Sequence, residues 1–412
     1  MTVSPVHHPP PRDPRLSGAG GPPPVAPAGE DAVTGTLHYR LALTAVISAI
    51  AGVGAALSLS LPLLSLVLEA RGISPLWIGL NTAMGGVAAI AILPFVTRLA
   101  STFGTARLIV AGFLTMVVAL NGFYLADAFW IWFPLRFVFS ASITLIFALT
   151  EFWINSLAPP KRRGFIVGIY TAFLSVGIAA GPIILAVVGP HGYLPFLIGS
   201  VILAVAAVPV MVVRAREPEL GGGTGRHLLS FLAVSPLAML AALVFGAVES
   251  GGTALTPVYG LALGYTAQQA AILVSAVAIG NIVSQIPIGW LADRFDRRRL
   301  LIGCAAIGMI GALILPIVEH SYPALLFTFF VTGSIVAGLY TIGLTHLGSR
   351  FTGMELASAN AAFVMMYAVG MLVGPASLGI GLELMKPDGF AYAIAAFFGL
   401  YVLVGVVRLA RL

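Results

Sequence analysis

Charge is what this sequence has least of. Asp, Glu, Lys and Arg make up only 9% of its 412 residues, whereas a soluble domain carries about 25%. So few charges cannot cover the surface of a water-soluble protein. Cysteine is nearly absent as well. The one Cys304 lies in an apolar run, which excludes disulfides and cysteine metal sites and leaves it as a small core hydrophobe. There is no phosphate loop, no zinc-spaced His/Cys set and no Gly-x-Ser-x-Gly. The expectation is therefore no enzyme, no cofactor, no metal and no ATP-driven step. Residues 1–36 hold no apolar core segment, so no signal peptide is expected. They are rich in Pro, Gly and Ala and read as a disordered tail. His7 and His8 in that tail lack further ligands and read as solvated.

What the sequence has in abundance is apolar residues, 59% of the total. From residue 41 onward apolar runs follow one another at 41–67, 76–99, 107–125, 129–155, 165–188, 193–213, 231–260, 268–292, 300–318, 324–348, 357–382 and 390–410. A membrane-spanning helix needs about 20 such residues. The runs do not alternate as β-barrel strands do, so twelve helical spans are expected. The cations test this count. With both termini inside, 18 of the 21 Lys and Arg residues fall in cytoplasmic segments, Arg71 and Lys386 fall outside, and Arg136 lies within a span. A single missed span would invert every later loop and destroy this asymmetry. The excess positive charge thus marks a membrane face and is no sign of nucleic acid.

The polar stretch 214–230, with Gly221-Gly222-Gly223, divides the spans into two sets of six and reads as a flexible cytoplasmic linker. The expected organisation is a tail at 1–36, one six-helix bundle at 37–213, the linker, and a second bundle at 231–412. The two bundles look duplicated. Thr97–Leu108 aligns with Gly289–Leu300 at an offset of 192, with Ser101 where the second copy has Asp293. Gly177-x-x-x-Gly181-Pro182 matches Gly370-x-x-x-Gly374-Pro375 at 193, and Ala148–Glu151 matches Gly343–His346 at 195. Near-constant offsets in three different helices argue for an internal repeat.

The turn Gly289–Leu300 joins spans 8 and 9 and carries four arginines. It resembles the signature loop of the major facilitator superfamily (MFS), G-x-L-a-D-r-x-G-r-r-x-l: Gly289, Leu291, Asp293, Arg294, Arg297 and Arg298 fall on the pattern, and Asp296 replaces its second glycine. Gly168, Gly177, Gly181 and Pro182 of span 5 resemble the antiporter motif of MFS exporters, with Leu185-Ala186 in place of its last two glycines. Small residues four apart also let helices pack closely without any transport role. Pro159-Pro160-Lys161-Arg162-Arg163-Gly164 is similar to the turn that joins spans 4 and 5 in MFS proteins. The resemblance covers residues 41–411 and extends, through Glu151, Trp153, Asn155 and the start of span 11, to a bacterial subgroup of unassigned substrate. It implies an all-α fold of two pseudo-symmetric six-helix bundles, with spans 1, 4, 7 and 10 lining a central cavity.

Ionisable residues inside a membrane are costly and commonly functional. They are few: Arg136 and Glu151 in span 4, Glu249 in span 7 and His346 in span 10. All lie on helices that the resemblance assigns to the cavity. Arg136 sits ~10 Å and Glu249 ~16 Å from the outer ends of their spans, at 1.5 Å per residue. They are candidates for an ion pair, a shared substrate or proton coupling. Arg136 also falls where the MFS proton-antiporter pattern has its arginine, with Ser140 and Ser142 replacing glycines. Glu151, Asn155 and His346 lie near the cytoplasmic ends, where the resemblance implies a gate formed by spans 4–5 and 10–11, and a Glu–His contact there would respond to pH. Glu69, Asp127, Glu319, Glu383 and Asp388 are assigned to solvated external turns. Asn81, Asn281, Gln285, Asn360, Tyr259 and Tyr340 are left as cavity polar groups or interhelical hydrogen bonds.

The reading is a monomeric secondary transporter in the bacterial cytoplasmic membrane, coupled to protons and acting on a small organic solute by alternating access. The span-5 motif leans it towards efflux. The alternatives are an uptake permease and a non-transporting membrane sensor or scaffold.

Overall fold

The computed structural model describes residues 30–157, 163–213, 234–351 and 353–410. Most of the expected tail, Lys161 and Arg162, and the linker 214–230 lie outside the described residues, as do the side chains of Arg163, Gln285 and Asp293.

The described chain is helical, without strands. Its helices are α1 (Glu30–Ala70), α2 (Pro75–Phe103), α3 (Thr105–Leu125), α4 (Phe129–Leu157), α5 (Arg163–Val188), α6 (Leu194–Val212), α7 (Pro236–Ala262), α8 (Ala267–Arg294), α9 (Arg297–Val318), α10 (Tyr322–Gly348), α11 (Gly353–Leu384) and α12 (Gly389–Leu409). All twelve are long and apolar enough to cross a membrane, as the sequence predicts. In the bilayer core only a helix or a closed barrel satisfies its own backbone polar groups. Pro94 interrupts α2 with a 3-10 turn, Leu93–Phe95, because proline lacks the N–H that would continue the ladder.

By its contacts the chain forms a short unit, Met1–Arg40, and a large one, Leu41–Leu412. In the short unit, residues 30–40 are helical. Residues 30–36 are therefore helix where the sequence reading expected tail. In the large unit the two sets of six helices meet through α2 with α11 and through α5 with α8.

The repeated glycines explain how each set packs. Gly177 and Gly181 of α5 lie against the backbone of Ala51, Ser58 and Leu59 on α1. Gly370 and Gly374 of α11 lie in the same way against Leu243 and Ala247 on α7. A Cβ at any of the four would overlap the facing helix, so glycine sets this separation. Ser58 strengthens the first contact by donating to the Gly177 carbonyl at 3.3 Å.

The α8–α9 turn defines an arginine-rich end. At the opposite end Trp77, Phe129, Trp130 and Phe133 form an aromatic group, with Trp77 and Trp130 edge to face at 5.2 Å. Tryptophans, with an apolar ring and one polar N–H, collect at membrane–water boundaries.

Candidate functional site

Glu249 is half-buried on α7. Its Oε2 accepts a hydrogen bond from the Tyr367 hydroxyl of α11 at 2.8 Å. Tyr367 belongs to an aromatic cluster with Phe245 of α7 and Tyr340 of α10, at centroid separations of 5.2–6.0 Å. The carboxylate also lines a cavity of about 70 Å³ with Thr253, Thr256, Asn281 and Thr332. That space is large enough to admit water.

Arg136 is 2% exposed on α4. Its Nε donates to Asn81 Oδ1 of α2 at 3.2 Å, and its guanidinium lies 5.9 Å from the Phe123 ring centre of α3. Its Nη2 and the Asn81 Nδ2 have no hydrogen-bond partner. The contacts of Arg136 are thus with α2 and α3, those of Glu249 are with α11, and no ion pair joins the two charges. A buried cation held by a neutral amide is an expensive arrangement that favours the arrival of an anion.

The expected Glu151–His346 contact is not formed. Glu151 is exposed on α4, and Asn155 Nδ2 donates to its backbone carbonyl at 2.8 Å, one turn on. His346 is 8% exposed and lines a different cavity, with Arg298, Arg350 and Arg408. The reason is rotational. At the offset of 193 shared by the glycine motifs, the counterpart of His346 is the fully buried Trp153, and that of Glu151 is Leu344. A two-residue slip turns a helix position by about 200°.

The opposite end is closed by a contact that the sequence reading missed. Gly79 and Gly86 of α2 lie against Pro375 and Leu372 of α11, and Gly379 lies against Pro75. Glu383, expected to be merely solvated, completes this seam. Its Oε2 accepts from the Ser74 hydroxyl at 2.7 Å and from the Leu76 amide at 3.1 Å. It therefore caps the N-terminus of α2 from the other set of helices. Only its place at the end of an apolar run, level with another such end, hinted at this. Tyr367 gave no sequence signal, and Asn81 stood among several polar candidates.

In the signature loop, Asp296 accepts from the amides of Arg298 and Arg299 at 3.0 and 2.9 Å and so caps α9. This accounts for an acid where the family pattern has glycine. The Arg299 amide is the main cause holding its carboxylate below the ordinary pKa. Arg297 Nε donates to the Ala292 carbonyl at 3.1 Å, and the Arg294 guanidinium sits 4.0 Å above the Trp290 ring. Gly289 meets nothing within reach of an added Cβ.

Comparison with known proteins agrees with this architecture. The chain is 25% identical over 340 residues to the MFS-type transporter YfkF of Bacillus subtilis (strain 168), covering 81% of this chain and 87% of the relative. It is 22% identical over 286 residues to the MFS-type transporter YcaD of Escherichia coli (strain K12 / DH10B), covering 68% and 73%. In fold it is similar to the nucleoside transporter NupG, with a TM-score of 0.73 at 13% identity over 90% of this chain and 98% of the other. It is also similar to a bacterial homolog of the human lysosomal transporter Spinster in an inward-facing, unoccupied conformation, with a TM-score of 0.69 at 12% identity over 89% and 95%. The profile described as Major Facilitator Superfamily matches residues 45–279 and 238–411. With twelve spans in two glycine-packed sets joined at α2–α11 and α5–α8, the chain belongs to the Major Facilitator Superfamily of transporters.

Proposed function

We propose that the protein is a proton-coupled secondary transporter of a small organic solute, working by alternating access between its two six-helix sets, with efflux the favoured direction. The observation that carries this reading is the carboxylate of Glu249. It is an intramembrane acid on α7 that lines a cavity and is tied by a single hydroxyl to α11. Moving one uncompensated charge across 100 mV is worth about 2.3 kcal/mol, so a carboxylate that crosses protonated avoids that term. Arg136 supplies a fixed positive charge in the other set, with its Nη2 uncommitted. The partial span-5 motif supports efflux, although its Gly177 and Gly181 are already accounted for by packing on α1.

The cation distribution supports a multi-pass protein of the bacterial cytoplasmic membrane with both termini and the arginine-rich end in the cytoplasm. Reporter fusions at Gly222 and Asp388 test the orientation: the first is expected inside and the second outside.

Glu249→Gln tests the coupling. In proteoliposomes it is expected to abolish transport driven by a pH gradient while substrate exchange continues. Arg136→Ala is expected to shift the pH profile without removing it. A well-folded Glu249→Gln protein that is still driven by a pH gradient would overturn the proton-carrier assignment.

A further inference from the structure

The arginine-rich end holds a second cavity, separate from the one at Glu249, of about 430 Å³. It lies where four helix ends converge: the start of α7 (Ser235 to Leu237), the start of α9 (Arg298), the end of α10 (His346, Arg350) and the end of α12 (Arg408). Three guanidinium groups thus come from three separate elements. No carboxylate lines the cavity among the described residues. The nearby acid Asp296 is occupied with the amides of Arg298 and Arg299. Ser235 is 1% exposed and lines the same cavity, and its hydroxyl has no hydrogen-bond partner. It sits at the N-cap of α7 without making the usual side-chain cap. Its side chain therefore leaves the start of α7, the positive end of the helix dipole, without a serine cap. Arg350 is anchored by donating to the Val234 carbonyl at 3.2 Å, which fixes one wall.

Like charges gathered without an acid repel one another, and a buried hydroxyl without a partner costs free energy. A ligand with several anionic oxygens would relieve both. Guanidinium forks suit phosphate and carboxylate geometry alike. Donors arriving from three helix ends, plus a hydroxyl and a helix N-terminus, exceed what the two oxygens of a carboxylate can use. The volume falls in the range of about 300–1,000 Å³ typical of organic ligands, beyond the need of a bare ion. We propose that this cavity binds a phosphate-bearing molecule: either the headgroup of an anionic phospholipid, or a soluble phosphate compound. Such a ligand would bridge α7, α9, α10 and α12.

The test uses the full chain in nanodiscs at constant ionic strength, followed by thermal melting. One arm titrates phosphatidylglycerol into phosphatidylcholine discs. The other adds pyrophosphate to discs of phosphatidylcholine alone. A rise in melting temperature with phosphatidylglycerol only assigns the lipid headgroup, and a rise with pyrophosphate only assigns a soluble phosphate. A rise in both assigns a site open to either. In the responsive arm Arg350→Gln and Arg408→Gln are each expected to raise the midpoint concentration at least tenfold, about 1.4 kcal/mol. Arg299→Gln, on the same turn but outside the cavity, should leave it unchanged. If an arginine variant does not fold, Ser235→Ala removes only the hydroxyl and should weaken the response in the same direction. No response in either arm, or a response that persists at the same midpoint in the folded cavity variants, overturns the proposal.

Discussion

Glu383→Ala would remove the acid that holds the start of α2 to the end of α11. The side chain accepts two hydrogen bonds, from Ser74 and from the Leu76 amide. Buried bonds to a carboxylate contribute about 1.5–3 kcal/mol each, but Glu383 is exposed, and solvent screens it. A better scale is the loss of a helix N-cap, about 1 kcal/mol, with about 0.3–1 kcal/mol for a negative charge at a helix N-terminus. Removing the side chain should therefore favour separation of this seam by about 1–2 kcal/mol, a factor of roughly 5–30 in the equilibrium. Spin labels at Asp127→Cys and Lys386→Cys would report it. Both positions are exposed at this end, one in each set of helices, and the native Cys304 is buried. Wild-type protein should show a dominant short distance, and Glu383→Ala should increase the ratio of long to short by that factor. Ser74→Ala, which removes one bond of the two, should fall between. A folded Glu383→Ala protein with an unchanged distance distribution would refute the clasp.

Gly86→Leu places a side chain where the Leu372 amide already sits. It should hold the seam apart and stop transport while leaving expression intact, as checked by the same spin labels and by uptake into proteoliposomes. Asp296→Ala should lower stability by about 1 kcal/mol, the usual cost of losing an N-cap, whereas Asp296→Asn should retain most of it. The carboxylate is held below its ordinary pKa, so its contribution is complete above pH ~4 and disappears as pH falls through the lower folded value. Melting scans between pH 7 and pH 3 would show the wild-type and Ala curves converging at the acid end. Asn81→Leu removes the hydrogen-bond acceptor that, among the described residues, holds the Arg136 guanidinium. It should destabilise the protein by about 1.5–3 kcal/mol, the scale for a lost hydrogen bond to a buried charged group, and Arg136→Met added to it should recover part of the loss. Asp293→Asn should impair the transport cycle more than substrate binding, because its repeat counterpart, Ser101, carries no charge to share the task. A binding constant and a transport rate measured on the same preparation separate the two.

The helices were legible because burial in lipid leaves a chain little choice. Twelve apolar runs predict twelve spans, and the observed ends lie within a few residues wherever a turn follows directly, as at Val188 and Gly348. The glycines four apart were legible for a similar reason: close helix approach demands a missing side chain, and α5 on α1 repeats as α11 on α7. What a hydropathy pattern does not encode is rotation. Depth along a helix advances only 1.5 Å per residue, while direction turns by about 100°, so a repeat aligned two residues out of step still matches height but faces elsewhere. That is why His346 stands level with Glu151 and yet lines an arginine cavity with the buried character of Trp153. Partners suffer most from this loss, since a partner is a direction as well as a depth. Arg136 and Glu249 were found by their scarcity, but Asn81 and Tyr367 follow only from how α2 and α11 are turned. The few charges of this chain therefore mark candidate positions along the membrane normal, and the packing glycines, by fixing helix rotation, decide what each charge can reach.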